Sequence, residues 1–473
     1  MSDTLSPSFA RSTARRLLVL GVVLASMLTI PLTITGASVA LPGIRADLDA
    51  GLPAAQWVVN GYNACYAGFL LLTGSLADVF GRRRIFAWGL ALFCGGGVAG
   101  ALAQHIVVLD LARAAAGIGA AAATTGGSAL LAATFQDPRA RARAFGLVGT
   151  VLGVGLAFGP TLGGVLVDAL GWRAVLAVPA GFAAAALALV RALPPVPGEP
   201  GRTVDRPGAA LFTGALLVLI FALDEGPALG FGHPLVVAAF AAASAMAVAL
   251  VRIERRRPDP MFALDLLADR RFLALAAAAG ALMGVLVPLV VYLPSYLITV
   301  VGLDAGTAGA WLLMLTVPTV LLPAAGAALA RRLPAPVLVA GPVAVAGAGV
   351  LLLATIGPDA TPARLLAPFV LLGAAVGVSN GVLDGMAIGG VPPERAGTAS
   401  GMFNTARLVT ETVMLAVVGA LLAALSGGHL EGAAFTGALR AVCLTLGAFA
   451  AVAAAVSVLL HRSAAGRSQA SRG

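Results

Sequence analysis

Charged and amide side chains are rare in this chain, so those inside long apolar runs are the first candidates for chemistry. Asp110 and Arg113 lie three residues apart, and Asn380 and Asp384 four apart. Asn404, Arg407 and Glu411 follow one another at spacings of three and four, which places them on one face of a helix. A charge in a membrane-spanning segment costs about 2.5–3.5 kcal/mol on insertion scales and is usually functional. Such groups bind and release protons or hold a polar substrate. Asp110–Arg113 and Arg407–Glu411 also read as self-neutralising pairs on adjacent turns. Asp384 has no basic residue within a turn and is expected to stand unpaired. In that reading Glu411 stays charged beside Arg407, and Asp384 ranks ahead of it for holding a proton. Tyr62, Asn63, Tyr292 and Tyr296 are further candidates for a cavity wall.

The elements carrying these residues are membrane helices. Hydrophobic residues make up 59% of the chain and charged ones 11%, at a mean hydropathy of +0.98. A soluble chain would carry about 25% charge. Uncharged runs of spanning length occupy 17–44, 50–77, 85–109, 114–136, 144–167, 174–190, 207–223, 226–251, 272–303, 305–330, 333–358, 365–383 and 441–461. With 396–424, which Arg407 and Glu411 interrupt, the spans number fourteen.

The chain contains no lysine, so its net charge of +9 is due to arginine. With the N-terminus cytoplasmic, 24 of the 30 arginines fall in cytoplasmic segments, the bias of the positive-inside rule. Both termini are then cytoplasmic. The basic pI therefore reports topology, and no nucleic-acid partner is expected. Composition rich in Ala, Gly, Arg and Pro points to a bacterial cytoplasmic membrane. The basic start, through "ARSTARRLL", leads into a retained span rather than a cleaved leader. Cys65, Cys94 and Cys443 lie in apolar runs and imply no disulfides.

Weak repeats organise the spans. "GSLADVFGRRRIF" at 74 has an echo, "GAALARRLPAPVL", at 326, and "RARARAFG" at 139 has one in "RAGTASG" at 395. The nearly equal offsets suggest a duplicated six-helix unit with two helices inserted. The expected divisions are a six-helix half at 1–193, a linker at 194–207, two inserted helices at 208–251, a linker at 252–271 and a second six-helix half at 272–473. Within the second linker, "MFALDLL" reads as a short amphipathic surface helix.

Four passages resemble the fourteen-helix drug:proton antiporters of the major facilitator superfamily. "GSLADVFGRRRIF" is similar to the loop after helix 2, with Gly74, Asp78, Gly81, Arg82, Arg83 and Arg84 in place and Val79 departing from it. "LDLARAAAGIGAA" resembles the helix 4 motif built on Arg113, Gly117 and Gly119. "GVGLAFGPTLGG" resembles the antiporter motif of helix 5, through Gly155, Gly159, Pro160, Gly163 and Gly164. "LDEGPALGFGHP" resembles the turn between the two inserted helices. The usual helix 1 acid is replaced by Thr33 and its asparagine by Ser38, so a coupling carboxylate must lie elsewhere.

The resemblance implies an all-α membrane protein with a major facilitator fold of fourteen helices arranged 6+2+6. It implies a proton-driven exporter of a small amphiphilic compound, working as a monomer with no cofactor and no covalent chemistry. Asp78, facing the positive N-terminus of helix 13 and backed by an Arg–Asp137 pair, would latch the cytoplasmic gate. The glycine stripe of helix 5 would let another helix approach closely, and Pro160 would kink it. A proton-coupled importer of the same superfamily is the nearest rival. A membrane enzyme would need a cluster of His, Asp or Ser at one face, which the sequence lacks. The four histidines are scattered and suggest no metal site. "GIGAAA" lacks the preceding strand of a dinucleotide site.

Overall fold

A computed structural model describes residues 7–198, 204–257, 262, 264–391 and 396–470. It is all-helical across them. The first six helices are α1 (Pro7–Leu48), α2 (Leu52–Phe80), α3 (Arg82–Ala101), α4 (Ile106–Thr134), α5 (Pro138–Leu170) and α6 (Trp172–Val190). Two more, α7 (Arg206–Leu229) and α8 (Pro234–Glu254), are followed by the short α9 (Leu264–Ala268). The rest are α10 (Arg270–Thr299), α11 (Ala305–Trp311), α12 (Leu313–Leu321), α13 (Pro323–Leu329), α14 (Ala335–Leu353), α15 (Pro362–Ser379), α16 (Val382–Gly389), α17 (Ala396–Ser426) and α18 (Gly432–Ala470).

Helices suit this composition because hydrocarbon offers no partner to an open backbone group. Their ends are marked by residues that satisfy the free backbone donors. The carboxylates of Asp137, Asp205 and Asp304 accept from Ala140 N at 2.8 Å, Gly208 N at 2.9 Å and Thr307 N at 2.7 Å, capping α5, α7 and α11. Gly81 and Gly230 close α2 and α7 at φ +98° and +92°, a conformation that favours glycine.

Thirteen helices among the described residues are long and apolar enough to cross a membrane. The stretch expected as the remaining span, 305–330, follows the same course in three pieces, α11, α12 and α13. α15 and α16 form one span broken at Asn380–Gly381, where Gly381 takes φ +78°.

Two helix boundaries differ from those read in the sequence. The turn between the third and fourth spans lies at 102–105, inside the uncharged run 85–109, and Asp110 and Arg113 both belong to α4, as the helix 4 reading expects. The turn after α7 lies at 230–233, so Asp224 and Glu225 are helical and "LDEGPALGFGHP" is mostly helix. Counting uncharged runs cuts the chain at its charges, whereas the chain turns where helix caps sit. At Met261–Leu267, where a surface helix was expected, the described part is α9 with buried Leu266, packed on α10.

Helices α1 to α6 pack among themselves, chiefly α3 on α4, α2 on α4 and α1 on α5. A second group forms around α10, which is almost wholly buried against α17, α18 and α14. The inserted α7 lies against α2 of the first group and α17 of the second, with α8 outside it.

Candidate functional site

Among the described residues, the seam between the two groups is tight at one end only. We call it the acidic end, because Asp168, Asp304 and Asp359 lie there; the opposite end carries Arg82–Arg84. Along the acidic-end half of α5, Gly155, Gly159, Gly163 and Gly164 are buried with Pro160. A β-carbon on Gly163 would lie 2.6 Å from Gly36 Cα, one on Gly159 would overlap Thr35, and one on Gly155 would strike Pro31, all on α1. Gly164 faces the other way, onto the Ala305 carbonyl of α11. Thr161 Oγ1 donates to Gly309 O at 2.8 Å, Thr316 Oγ1 to Ala157 O at 2.7 Å, and Gly306 N to Asp168 Oδ2 at 2.7 Å. The stripe therefore does two jobs: it seats α5 on α1, and it joins the first group to the second.

Nothing comparable joins the arginine end among the described residues. β-Carbons on Gly146, Gly149 and Gly153 of α5 would meet nothing within 4 Å, and the same holds for Gly385, Gly389 and Gly401 across the seam. Phe145 and Leu147 are exposed.

Between the ends, the seam brings Asp384 of α16 to Arg407 of α17. Arg407 Nη2 donates to Asn404 Oδ1 at 2.7 Å, and Arg407 Nη1 lies 3.9 Å from Asp384 Oδ1, with both side chains about a quarter exposed. Asn404 Nδ2 in turn donates to Ser400 O at 2.9 Å. This reverses the pairing read from the sequence, in which Arg407 held Glu411 and left Asp384 alone. Long side chains on a helix point back toward its N-terminus. Arg407 accordingly reaches Asn404 and α16, and no ion pair joins it to Glu411 among the described residues. Glu411 is half-buried within electrostatic reach of Tyr66 on α2, whose hydroxyl lies 3.4 Å from Thr124 Oγ1 on α4. Asn380 ends α15 at the helix break, four residues before Asp384.

Arg113 is buried away from this cluster. Its Nε donates to Val58 O at 2.8 Å and its guanidinium lies 4.2 Å over the Tyr62 ring, both on α2. One guanidinium nitrogen and Asp110 Oδ1 lack a hydrogen-bond partner among the described residues, so the expected Asp110–Arg113 pair is not a direct contact. Asn63 and Tyr296 are also buried; the Tyr296 hydroxyl meets Thr436 Oγ1 at 3.1 Å.

The gate loop is overlain by the chain that follows α6. Arg82 N donates to Val196 O at 3.1 Å, and Arg83 Nη1 to Leu193 O at 2.8 Å. A β-carbon on Gly81 would lie 3.0 Å from Val196 O, while Gly74 has ordinary contact with Thr125. Asp78 is half-buried on the last turns of α2. The helix expected opposite it is α17, described from Ala396; 392–395 just before it, and the Arg139 side chain, lie outside the described residues. Asp137 acts as the α5 cap.

Sequence reading missed one polar junction. Asn60 Nδ2 donates to Asp224 Oδ1 at 2.8 Å, Trp57 Nε1 to Glu225 Oε1 at 3.1 Å, and Gln56 Nε2 to Gly419 O at 2.8 Å. Helices α2, α7 and α17 meet there, and Tyr292 joins from α10. The available signal was the capping: the apolar run containing Asp224 ends at Gly230-Phe-Gly-His233, not at the charges.

The described residues contain no group of His, Cys, Asp and Glu able to hold a metal ion.

Comparison with known proteins gives one answer along most of the chain. The family model of the Major Facilitator Superfamily matches residues 22–411. The puromycin resistance protein pur8 of Streptomyces alboniger is 34% identical over 93% of this chain and 88% of its own length. The multidrug resistance protein Stp of Mycobacterium tuberculosis is 31% identical over 83% of this chain and 73% of its own. The cephamycin export protein CmcT of Amycolatopsis lactamdurans is 34% identical over 80% of each chain. The crystal structure of the POT family transporter PepTSo shares the fold at a TM-score of 0.66 and 18% identity, covering 94% of this chain and 98% of that one.

Proposed function

The chain belongs to the major facilitator superfamily, and we propose that it is a proton-driven exporter of a small amphiphilic antibiotic or drug, working by alternating access as a monomer in a bacterial cytoplasmic membrane. The arginine end is cytoplasmic, as are both termini. The observation that carries this reading is the one-sided seam. Glycine-packed contacts close the acidic end, while toward the arginine end Gly146, Gly149 and Gly153 of the same helix meet nothing among the described residues. A rigid pair of six-helix halves, 1–193 and 272–473, rocks about such a seam, exposing a central site to each side in turn. The resistance and export proteins among its relatives support the direction and the class of cargo.

In this state the substrate meets Asp384, Arg407 and Asn404 from the cytoplasm, beside the broken helix at Asn380. Interrupted membrane helices mark substrate sites because their free backbone groups face the cavity. Arg407 donates to Asn404 and approaches Asp384 at 3.9 Å, and it acts on Glu411 only through its field. We assign to Glu411, half-buried near Tyr66 and outside the Asn404–Arg407 hydrogen bond, the proton that leaves to the cytoplasm. Asp78 latches the cytoplasmic end when it closes against the N-terminus of helix 13. One proton crossing 100 mV releases about 2.3 kcal/mol, the drive for export.

The test is transport in inverted membrane vesicles from a pump-deficient host. Acidifying the vesicle lumen should drive accumulation of an amphiphilic antibiotic inside, and collapsing the proton gradient should stop it. Gradient-driven loss of a small metabolite from the vesicles would favour the importer instead. Reporter fusions at residue 200 and after residue 465 should read cytoplasmic, and one at 304 external.

A further inference from the structure

Asp224 is fully buried, and nothing in the reading above uses it. Its Oδ1 accepts from Asn60 Nδ2 at 2.8 Å, but its Oδ2 has no partner among the described residues. Asn60 Oδ1 and the Tyr292 hydroxyl are likewise buried without a partner. The charged and titratable groups bearing on Asp224 are few. Glu225, next on α7, directs its carboxylate to Trp57, and Tyr292 faces the junction from α10. From α8 and α17 no charged side chain reaches it; Glu254, Arg407 and Glu411 lie toward the arginine end. Among the described residues no cation balances this carboxyl.

A buried polar oxygen without a hydrogen-bond partner is costly, and an O–H on Oδ2 would give it and the facing oxygens partners. Its position gives that proton a consequence. Asp224 lies five residues before the end of α7, about 8 Å from the acidic end at 1.5 Å per residue. The junction is formed by α2 of the first group, α7, and α10 and α17 of the second, so it exists only while this end is closed. A β-carbon on Gly419 would lie 2.5 Å from the Tyr292 hydroxyl and 3.0 Å from Gln56 Nε2, so α17 is closely packed on α2 and α10 at the junction.

We propose that Asp224, supplied by the inserted helix α7, is a proton-binding site whose protonation permits the outer end of the transporter to close. This rests on the alternating-access reading and its assignment of the acidic end as external. When that end is open, the carboxylate faces external water and accepts a proton from it on Oδ2. The neutral acid then enters the junction, retaining the Asn60 amide on Oδ1 and presenting an O–H to the free oxygens of Asn60 and Tyr292. Reopening returns the group to water, where it ionises. The inserted helix pair thereby gives the fold an external-pH gate separate from the central acids.

Spin labels on cysteines at Ala46 and His429, exposed positions on opposite sides of the outer seam, report closure by double electron–electron resonance in nanodiscs. In the otherwise unaltered chain the short-distance population should grow as pH falls. Asp224→Asn, which keeps the shape and the neutral state, should be closed throughout the range, with its pH dependence lost. Tyr292→Phe removes one acceptor for the acid proton with little change in packing, and should move the closure midpoint to lower pH. If the parent closes with pH and Asp224→Asn follows the same profile, the assignment of Asp224 is wrong while the transport reading stands. If the parent distances respond to neither pH nor an added amphiphilic antibiotic, both fall.

Discussion

The two halves of α5 differ in what their glycines meet. Toward the acidic end Gly155, Gly159, Gly163 and Gly164 lie under other backbones; toward the arginine end Gly146, Gly149 and Gly153 face open space. Glycine alone therefore does not make a contact. At the first set a missing side chain allows helices to touch, and at the second it leaves a surface that another helix can meet when the molecule rearranges. A transporter needs both, because a seam equally tight at both ends would not move.

The largest effect should come from filling the closed half. Gly159→Leu places a side chain where Thr35 already stands, and transport should fall by at least ~tenfold because the helices cannot approach. Gly149→Leu should cost far less. Equal loss from both, measured as efflux at matched membrane levels, would erase the distinction between the two halves.

The open end is probed next by Asp78→Asn. The protein should insert normally and transport poorly, since the change removes the charge that latches the cytoplasmic end when it closes. Normal efflux would leave Arg82, Arg83 and Arg84 as orientation signals alone.

Between the ends, Glu411→Gln should abolish gradient-driven efflux while sparing downhill exchange, and Asp384→Asn should weaken substrate recognition more than coupling. The opposite outcome, in exchange and pH-jump assays on proteoliposomes, would return the proton to Asp384.

Why the sequence led to the other ranking is instructive. Span existence was legible because apolar length answers to the bilayer, and the helix 5 stripe was legible because its spacing repeats each turn. Pairing was not. Spacing places Arg407 equally well beside Asn404 and Glu411, and the side-chain direction that decides between them depends on α16, remote in sequence. Arg113 shows the same thing: its neighbour in sequence is Asp110, yet it is held by Val58 and Tyr62 on α2. Asp224 was lost for a different reason. The runs 207–223 and 226–251 put a turn at Asp224 and Glu225, and burying this acid requires Asn60, more than 160 residues away. The break of 305–330 into α11, α12 and α13 was equally hidden, because its prolines do not by themselves distinguish a kinked helix from an interrupted one.

The smallest effect is expected at Asp304, and it isolates the external-pH gate. The Thr307 backbone N–H, and after it the Thr307 hydroxyl, donate to this exposed cap and hold its carboxyl below the usual aspartate value. A lowered folded-state value means that the cap's stabilisation is present above the ordinary aspartate pKa, near 4, and fades only as pH falls through the lowered value. Between about pH 5 and 8 the cap is therefore constant, and its loss in stronger acid loosens the closed end, opposite in sign to the proton on Asp224. Asp304→Asn should reduce the closed population slightly while leaving the closure midpoint where it was, read with the same spin-label pair. A midpoint displaced by this substitution would make the outer cap, rather than the buried junction, the source of the pH response.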